Sequence, residues 1–297
     1  MSITSAMLCK RFKKSDDRRD AGLTTPEDIL RYDDIPYGSD ARWQVLDMYR
    51  PKAAAEKLPV IVSIHGGGWV YGDKERYQYY CMSLAQQGFA VVNFTYRLAP
   101  KYKFPASLED TNLVFHWVLK HAAEYGFDAA QIFAVGDSAG AHMLGLYCCL
   151  CTNPEYAAQF PFRVPEGFVP TAVALNCGVY EGTRGGKWDL STRLMADYLP
   201  NKGSNEELEK LSVLRHVTAA FPPSFLMTAN EDFLREAAPP MAEKLKAFGI
   251  PVVYRLYGNE QNPLGHVFHC NIRSEDALRC NTEECDFFRR TCKPDRA

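Results

Sequence analysis

The chain lacks a dominant charge, a long apolar run and a run of paired cysteine motifs, and each absence removes a class of function. Its 34 basic and 36 acidic residues leave a formal net charge of −2, so no global field draws it to nucleic acid or to an anionic membrane. The longest apolar stretch near a helix, MLGLYCCLC at 143–151, is less than half of a membrane span. The start, MSITSAMLCKRFKK, places its charges after a short apolar patch, the reverse of a secretory signal. A soluble, cytoplasmic protein is the resulting expectation. One basic stretch, KRFKKSDDRR at 10–19, is interrupted by aspartates and reads as a solvated N-terminal segment. Residues 1–34 are therefore set apart from a main domain over 35–297, with the option that they add to a cap.

Ten cysteines are present without a pair of C-x-x-C motifs, so neither a zinc site nor any other metal is expected. Cys148, Cys149 and Cys151 fall in one apparent helix, where cysteine behaves as a small buried hydrophobe. Without an export signal, a disulfide framework is the weaker reading.

What is present is a core-forming composition, 46% hydrophobic and 24% charged, and a regular alternation of elements. LPVIVSIHG (58–66), FAVVNFTYR (89–97), QIFAVG (131–136), TAVALNCG (171–178), SFLMTA (224–229) and PVVYRLYG (251–258) are apolar runs of the kind buried on both faces of a sheet. WQVLDMY (43–49) alternates and follows the turn YGSDAR, which suggests an early hairpin. Helical patterns lie between the runs, one over 107–125 ending at Gly126 and one over 239–248 ending at Gly249. Strands alternating with helices predict an α/β fold with a mainly parallel central sheet covered on both faces. Residues 179–222 are too long for a plain connection and read as a helical lid insertion.

In such a fold ligands bind beyond the carboxyl ends of the strands. Two loops there stand out. AVGDSAGAHM (134–143) sets Ser138 between small residues at a strand-to-helix corner, as an exposed nucleophile on a sharp turn needs. IHGGGW (64–69) follows a buried strand, and its three glycines uncover backbone N–H groups. It has no lysine-serine pair of the kind a phosphate loop needs. A serine hydroxyl requires a base and an orienting acid.

With YRLAP, FPASLED, EDFLRE and GHVF, these motifs make the chain resemble the hormone-sensitive-lipase-like (bacterial family IV) esterases of the α/β-hydrolase fold. The resemblance implies a catalytic triad of Ser138, Asp232 and His266, with Gly67, Gly68 and Ala139 as oxyanion-hole donors. It gives His65 a bracing role only, and leaves Glu231 and His269 as neighbours of the acid and base. The implied reaction is hydrolysis of short-chain carboxylic esters, acetyl esters first, through an acyl-enzyme, with a small-molecule ester substrate and no cofactor. Trp69 and the lid aromatics Tyr180, Trp188 and Tyr198 are candidate substrate-binding residues. Cleavage of amides on the same fold, and a non-catalytic ligand-binding role, stay open as alternatives.

Overall fold

A computed structural model describes residues 2–54, 57–186 and 189–292. Eight strands form one sheet in the order β1-β2-β4-β3-β5-β6-β7-β8. They are Ile29–Pro36 (β1), Val45–Pro51 (β2), Leu58–Ile64 (β3), Ala90–Phe94 (β4), Phe127–Asp137 (β5), Val173–Asn176 (β6), Ser224–Ala229 (β7) and Val252–Tyr257 (β8). The pair β1/β2 and the pair β2/β4 are antiparallel; every pair from β4 to β8 is parallel. The hairpin and the parallel core therefore match the sequence pattern. The apolar runs are central strands because neither face meets water: Val60, Ile61 and Val62 on β3 are fully buried. Each such side chain contributes about 2 kcal/mol of burial.

The helices are Ile3–Asp20 (α1), Lys74–Ala85 (α2), Ala106–Lys120 (α3), Ala122–Tyr125 (α4), Ala139–Thr152 (α5), Pro154–Ala157 (α6), Leu190–Tyr198 (α7), Asn205–Lys210 (α8), Val213–His216 (α9), Ala238–Ala247 (α10) and Glu275–Thr291 (α11). They bury their apolar faces in two clusters, one on each side of the sheet. Val62, Leu144 and Met241 belong to one, and Ile61, Phe133 and Phe288 to the other. The helix expected over 107–125 is broken in two. His121 leaves helical dihedrals (φ −101°, ψ 12°), stacks on Trp117 and bonds Glu124 through Nδ1 at 2.6 Å. Gly126 then ends the second piece at φ 67°. The stretch 179–222 carries α7, α8 and α9 between β6 and β7.

The N-terminal segment differs from the solvated chain expected from its charges. Ser2 caps α1, its hydroxyl accepting from the Ser5 amide at 3.1 Å. Ser5 is fully buried, and its hydroxyl donates to Asp197 of α7 at 2.6 Å. Further along, the Tyr71 hydroxyl donates to Asp16 at 2.7 Å, and Arg19 pairs with both Asp16 and Asp20. The acidic residues that interrupt the basic run are thus its partners, and the helix docks.

The corner between β5 and α5 is closely packed backbone against backbone. A Cβ on Gly136 would lie 2.6 Å from the Gly140 backbone, and one on Gly140 would collide with the Ile64 carbonyl of β3. No side chain can move to relieve either contact, since the obstacle is backbone. Gly140→Ala should therefore lower the melting temperature by several degrees or prevent soluble folding, as overpacking of a rigid site costs about 1–3 kcal/mol. Thermal denaturation checks this; an unchanged melting temperature would show that the corner has slack.

Candidate active site

Ser138 occupies the corner itself. Its backbone has φ 52° and ψ −115°, a conformation that costs a non-glycine residue about 1–3 kcal/mol. The surrounding structure holds it there: the Ser138 amide donates to the Asn176 carbonyl at 2.9 Å, and Gly136 and Gly140 admit the neighbouring backbone. The half-buried side chain lines a cavity of about 750 Å³.

Asp232 and His266 come from the loops after β7 and β8. His266 Nδ1 lies 2.7 Å from Asp232 Oδ1. The carboxylate is buried, and it accepts further bonds from the Leu234 amide at 2.9 Å and the Thr228 hydroxyl at 2.8 Å. Burial pushes the carboxyl up, but the hydrogen bond and charge of His266, with these two donors, hold it below the usual carboxylate range. The two loops are stitched together by a parallel bridge between Glu231 and Gly265 and by the Glu231 amide bonding Leu264 at 3.0 Å. Glu231 itself is exposed, so of the two adjacent acids Asp232 is the one facing the imidazole. His266 lines the same cavity as Ser138.

Gly67, Gly68 and Ala139 also line this cavity. Gly67 and Gly68 have φ of 113° and 60°, and among the described residues neither amide has a hydrogen-bond acceptor. Ala139 begins the 14-residue helix α5, whose first N–H groups lack intrahelical partners and carry the positive end of the helix dipole. The preceding glycine is held from behind. The Gly66 amide donates to the Tyr77 hydroxyl at 3.0 Å, and that hydroxyl donates to Asp137 at 2.8 Å. His65 is fully buried, stacks on Tyr96 at 4.0 Å and meets the Gly66 carbonyl through Nδ1 at 2.7 Å. Burial pulls its pKa down to about 4, which fits a neutral brace.

The other histidines near the corner are interior. His142 bonds the Leu211 carbonyl at 2.8 Å. His269 lies in a short 3₁₀ turn before the last helix, fully buried, edge-on to Tyr80, with its pKa lowered to about 3 by burial first and by His266 second.

The expected substrate-binding aromatics fare unevenly. Trp69 lines the cavity and stacks on Tyr198 at 4.8 Å. Tyr198 and Tyr180 do not line it: each is 1% exposed and belongs to the core. Trp188 lies outside the described residues. Tyr198 packs inward against Ser107 and Phe104, and the Tyr180 hydroxyl donates to the Leu175 carbonyl of β6 at 3.4 Å. The walls come instead from residues that the sequence reading missed, Leu8 and Phe12 on α1, Leu194 and Met195 on α7, and Phe233 beside the acid. Leu8 and Phe12 are four apart, a helical spacing that could have marked them. Phe233 is 70% exposed, with its ring 4.3 Å from that of His266.

Two further acids lie buried behind the corner. Burial pushes Asp137 up to about 6, against the hydrogen bond from Tyr77. It pushes Glu284 of α11 up to about 7, against hydrogen bonds from Asn176 (2.6 Å) and Tyr80 (3.3 Å).

Comparison with known proteins places the chain among esterases. Residues 46–238 match the sequence profile of the BD-FAE family. Carboxylesterase NlhH of Mycobacterium tuberculosis is 29% identical over 244 residues, 77% of this chain and 75% of its own. Esterase LipC of the same organism is 28% identical over 230 residues, 72% of this chain and 54% of its own. Among solved structures, an inhibited esterase B from Lactobacillus rhamnosis superposes with a TM-score of 0.88 at 26% identity, covering 98% of this chain and 97% of its own. The match to a bacterial heroin esterase, TM-score 0.79 at 21% identity over 99% of this chain and 95% of its own, bears on the fold alone.

A buried acid with a raised pKa makes stability depend on pH. Glu284 in the folded chain keeps a proton that the unfolded chain releases above the ordinary value of 4.5. Stability should fall as pH rises from about 4.5 to about 7 and level off above, by on the order of 3 kcal/mol for this residue. Glu284→Gln should match the native protein at pH 5 and exceed it at pH 8. Melting temperatures at the two pH values check this; an equal drop in both proteins would exclude Glu284 as the source.

Proposed function

The chain belongs to the BD-FAE family and is an α/β-hydrolase esterase of the hormone-sensitive-lipase-like group, and on that premise we propose that Ser138, His266 and Asp232 hydrolyse short-chain carboxylic esters through an acyl-enzyme. The observation that carries this reading is the 2.7 Å bond from His266 Nδ1 to Asp232, in one cavity with a serine held on a strained corner.

His266 takes the proton from Ser138 Oγ as that oxygen attacks the ester carbonyl. With Nδ1 bonded to Asp232, the imidazole presents Nε2 to the reaction, and the carboxylate stabilises the imidazolium that forms. The oxyanion develops against the amides of Gly67, Gly68 and Ala139, each worth about 3 kcal/mol to the transition state. The imidazolium then protonates the departing alcohol. Water attacks the acyl-serine by the same route, and the acid leaves. Every bond made or broken belongs to the ester, the serine or water, so the cycle calls on no cofactor.

The cavity suits uncharged acyl groups. Leu8, Phe12, Leu194 and Met195 give it apolar walls around about 750 Å³, a volume that admits a short acyl ester and does not by itself set the chain length. Esterase B, a structural relative, has been solved inhibited by a C4-C4 SN3 tributyrin phosphonate. On this reading acetyl and butyryl esters are the preferred class.

Ser138→Ala should lower turnover of p-nitrophenyl acetate by on the order of 10⁶ and abolish labelling by a fluorophosphonate, with circular dichroism unchanged. Normal labelling at another serine would remove the mechanism; no labelling of the native protein would favour a ligand-binding role. Asp232→Asn should lose most activity and Glu231→Gln little, and the reverse pattern would reassign the acid. A panel of esters with two to twelve acyl carbons, run beside an anilide, should peak at two to four carbons; a preference for the anilide would support amide cleavage.

A further inference from the structure

The C-terminal end of β6 touches all three loops that carry the triad. The Asn176 carbonyl accepts the Ser138 amide at 2.9 Å. The next residue, Cys177, has left strand geometry for φ 46°, pinned by its own amide to the Met227 carbonyl at 2.7 Å. That turn aims a fully buried thiol beneath the acid and base. Cys177 Sγ accepts the Val267 amide at 3.4 Å, and it lies within 4.8 Å of both a carboxylate oxygen of Asp232 and a ring nitrogen of His266. Val267 is adjacent to His266 and has φ 52°, so the base loop also turns sharply where the thiol holds it.

From this juxtaposition we infer that Cys177 is a positioning residue for the base: its sulfur anchors the Val267 amide and so fixes the His266 ring against Asp232. The inference rests on the triad proposed above. The thiol suits the position because it stays neutral there. Burial raises its pKa well above the ordinary value, and the neighbouring Asp232 charge raises it further, so no second anion competes for the imidazole. Its proton has an acceptor in Met227 Sδ at 3.9 Å. An apolar side chain there would leave the Val267 amide without an acceptor. Displacements of about 1 Å in such a group can cost a hundredfold in rate.

Serine and alanine at 177 separate anchoring from packing, since they differ by one oxygen. Cys177→Ala in the full chain should lower kcat for p-nitrophenyl acetate about tenfold, with KM within about twofold, in a protein that circular dichroism shows still folded at the assay temperature. Fluorophosphonate labelling of Ser138 should slow in parallel. Cys177→Ser should recover at least threefold of that loss, because its hydroxyl can accept the same amide. Were the thiol only filling space, the serine variant would be no better than alanine, as a buried hydroxyl adds a desolvation cost; that result overturns the inference. So does an alanine variant with native kcat. His266→Ala serves as the reference. If it is inactive while Cys177→Ala is normal, only the anchoring role falls; if it keeps native turnover, the triad itself falls.

Discussion

The approach of two backbones, β3 at Ile64 and α5 at Gly140, is the constraint from which the site follows. It leaves no room for a Cβ, and in exchange α5 starts directly beside the loop that leaves β3. That adjacency brings the amides of Gly67 and Gly68 and the first amide of α5 to one cavity. It also forces Ser138 into its positive-φ corner. A single steric condition thus brings Ser138 and these amides to the same cavity.

The acid and base are organised differently. Their loops are tied to each other by backbone contacts at Glu231, Leu264 and Gly265, and to the corner through the end of β6. Asp232 receives three side-chain or backbone donors, counting His266. A carboxylate so surrounded stays ionised despite being 3% exposed, since each donor favours the charged form. Behind it, Asp137 and Glu284 lie in the opposite regime, buried with fewer compensating donors and raised pKa values. Two kinds of buried acid therefore stand within one architecture, distinguished by what donates to them.

Much of this was legible in the sequence. The central strands announced themselves because burial on both faces requires unbroken apolar runs, and Gly126 announced a helix end because its position requires positive φ. The loops with HGGGW and GDSAG were visible because close backbone approach leaves only small residues acceptable. Helix α1 was not. Its polar contacts to the rest of the fold are made by Ser5, Asp16 and Arg19, residues that look solvated until their partners, 55 to 192 positions away, are known. Glu284 was hidden for a related reason. It adjoins Glu283, which pairs with Arg255 at the surface, and nothing local distinguishes the buried acid from the exposed one. Tyr180 and Tyr198 erred in the other direction, since an aromatic in a lid serves core and pocket equally well on paper.

The division of labour between distant parts of the chain has an evolutionary consequence. Ser138, Asp232 and His266 all come from loops at the strand ends, whereas much of the cavity wall is built by α1 and α7, joined at Ser2, Ser5 and Asp197. Residues 8, 12 and 194 can change size without touching Ser138, Asp232 or His266. Selection could therefore retune which esters are accepted by drifting one terminal helix and one insertion, with the chemistry inherited intact.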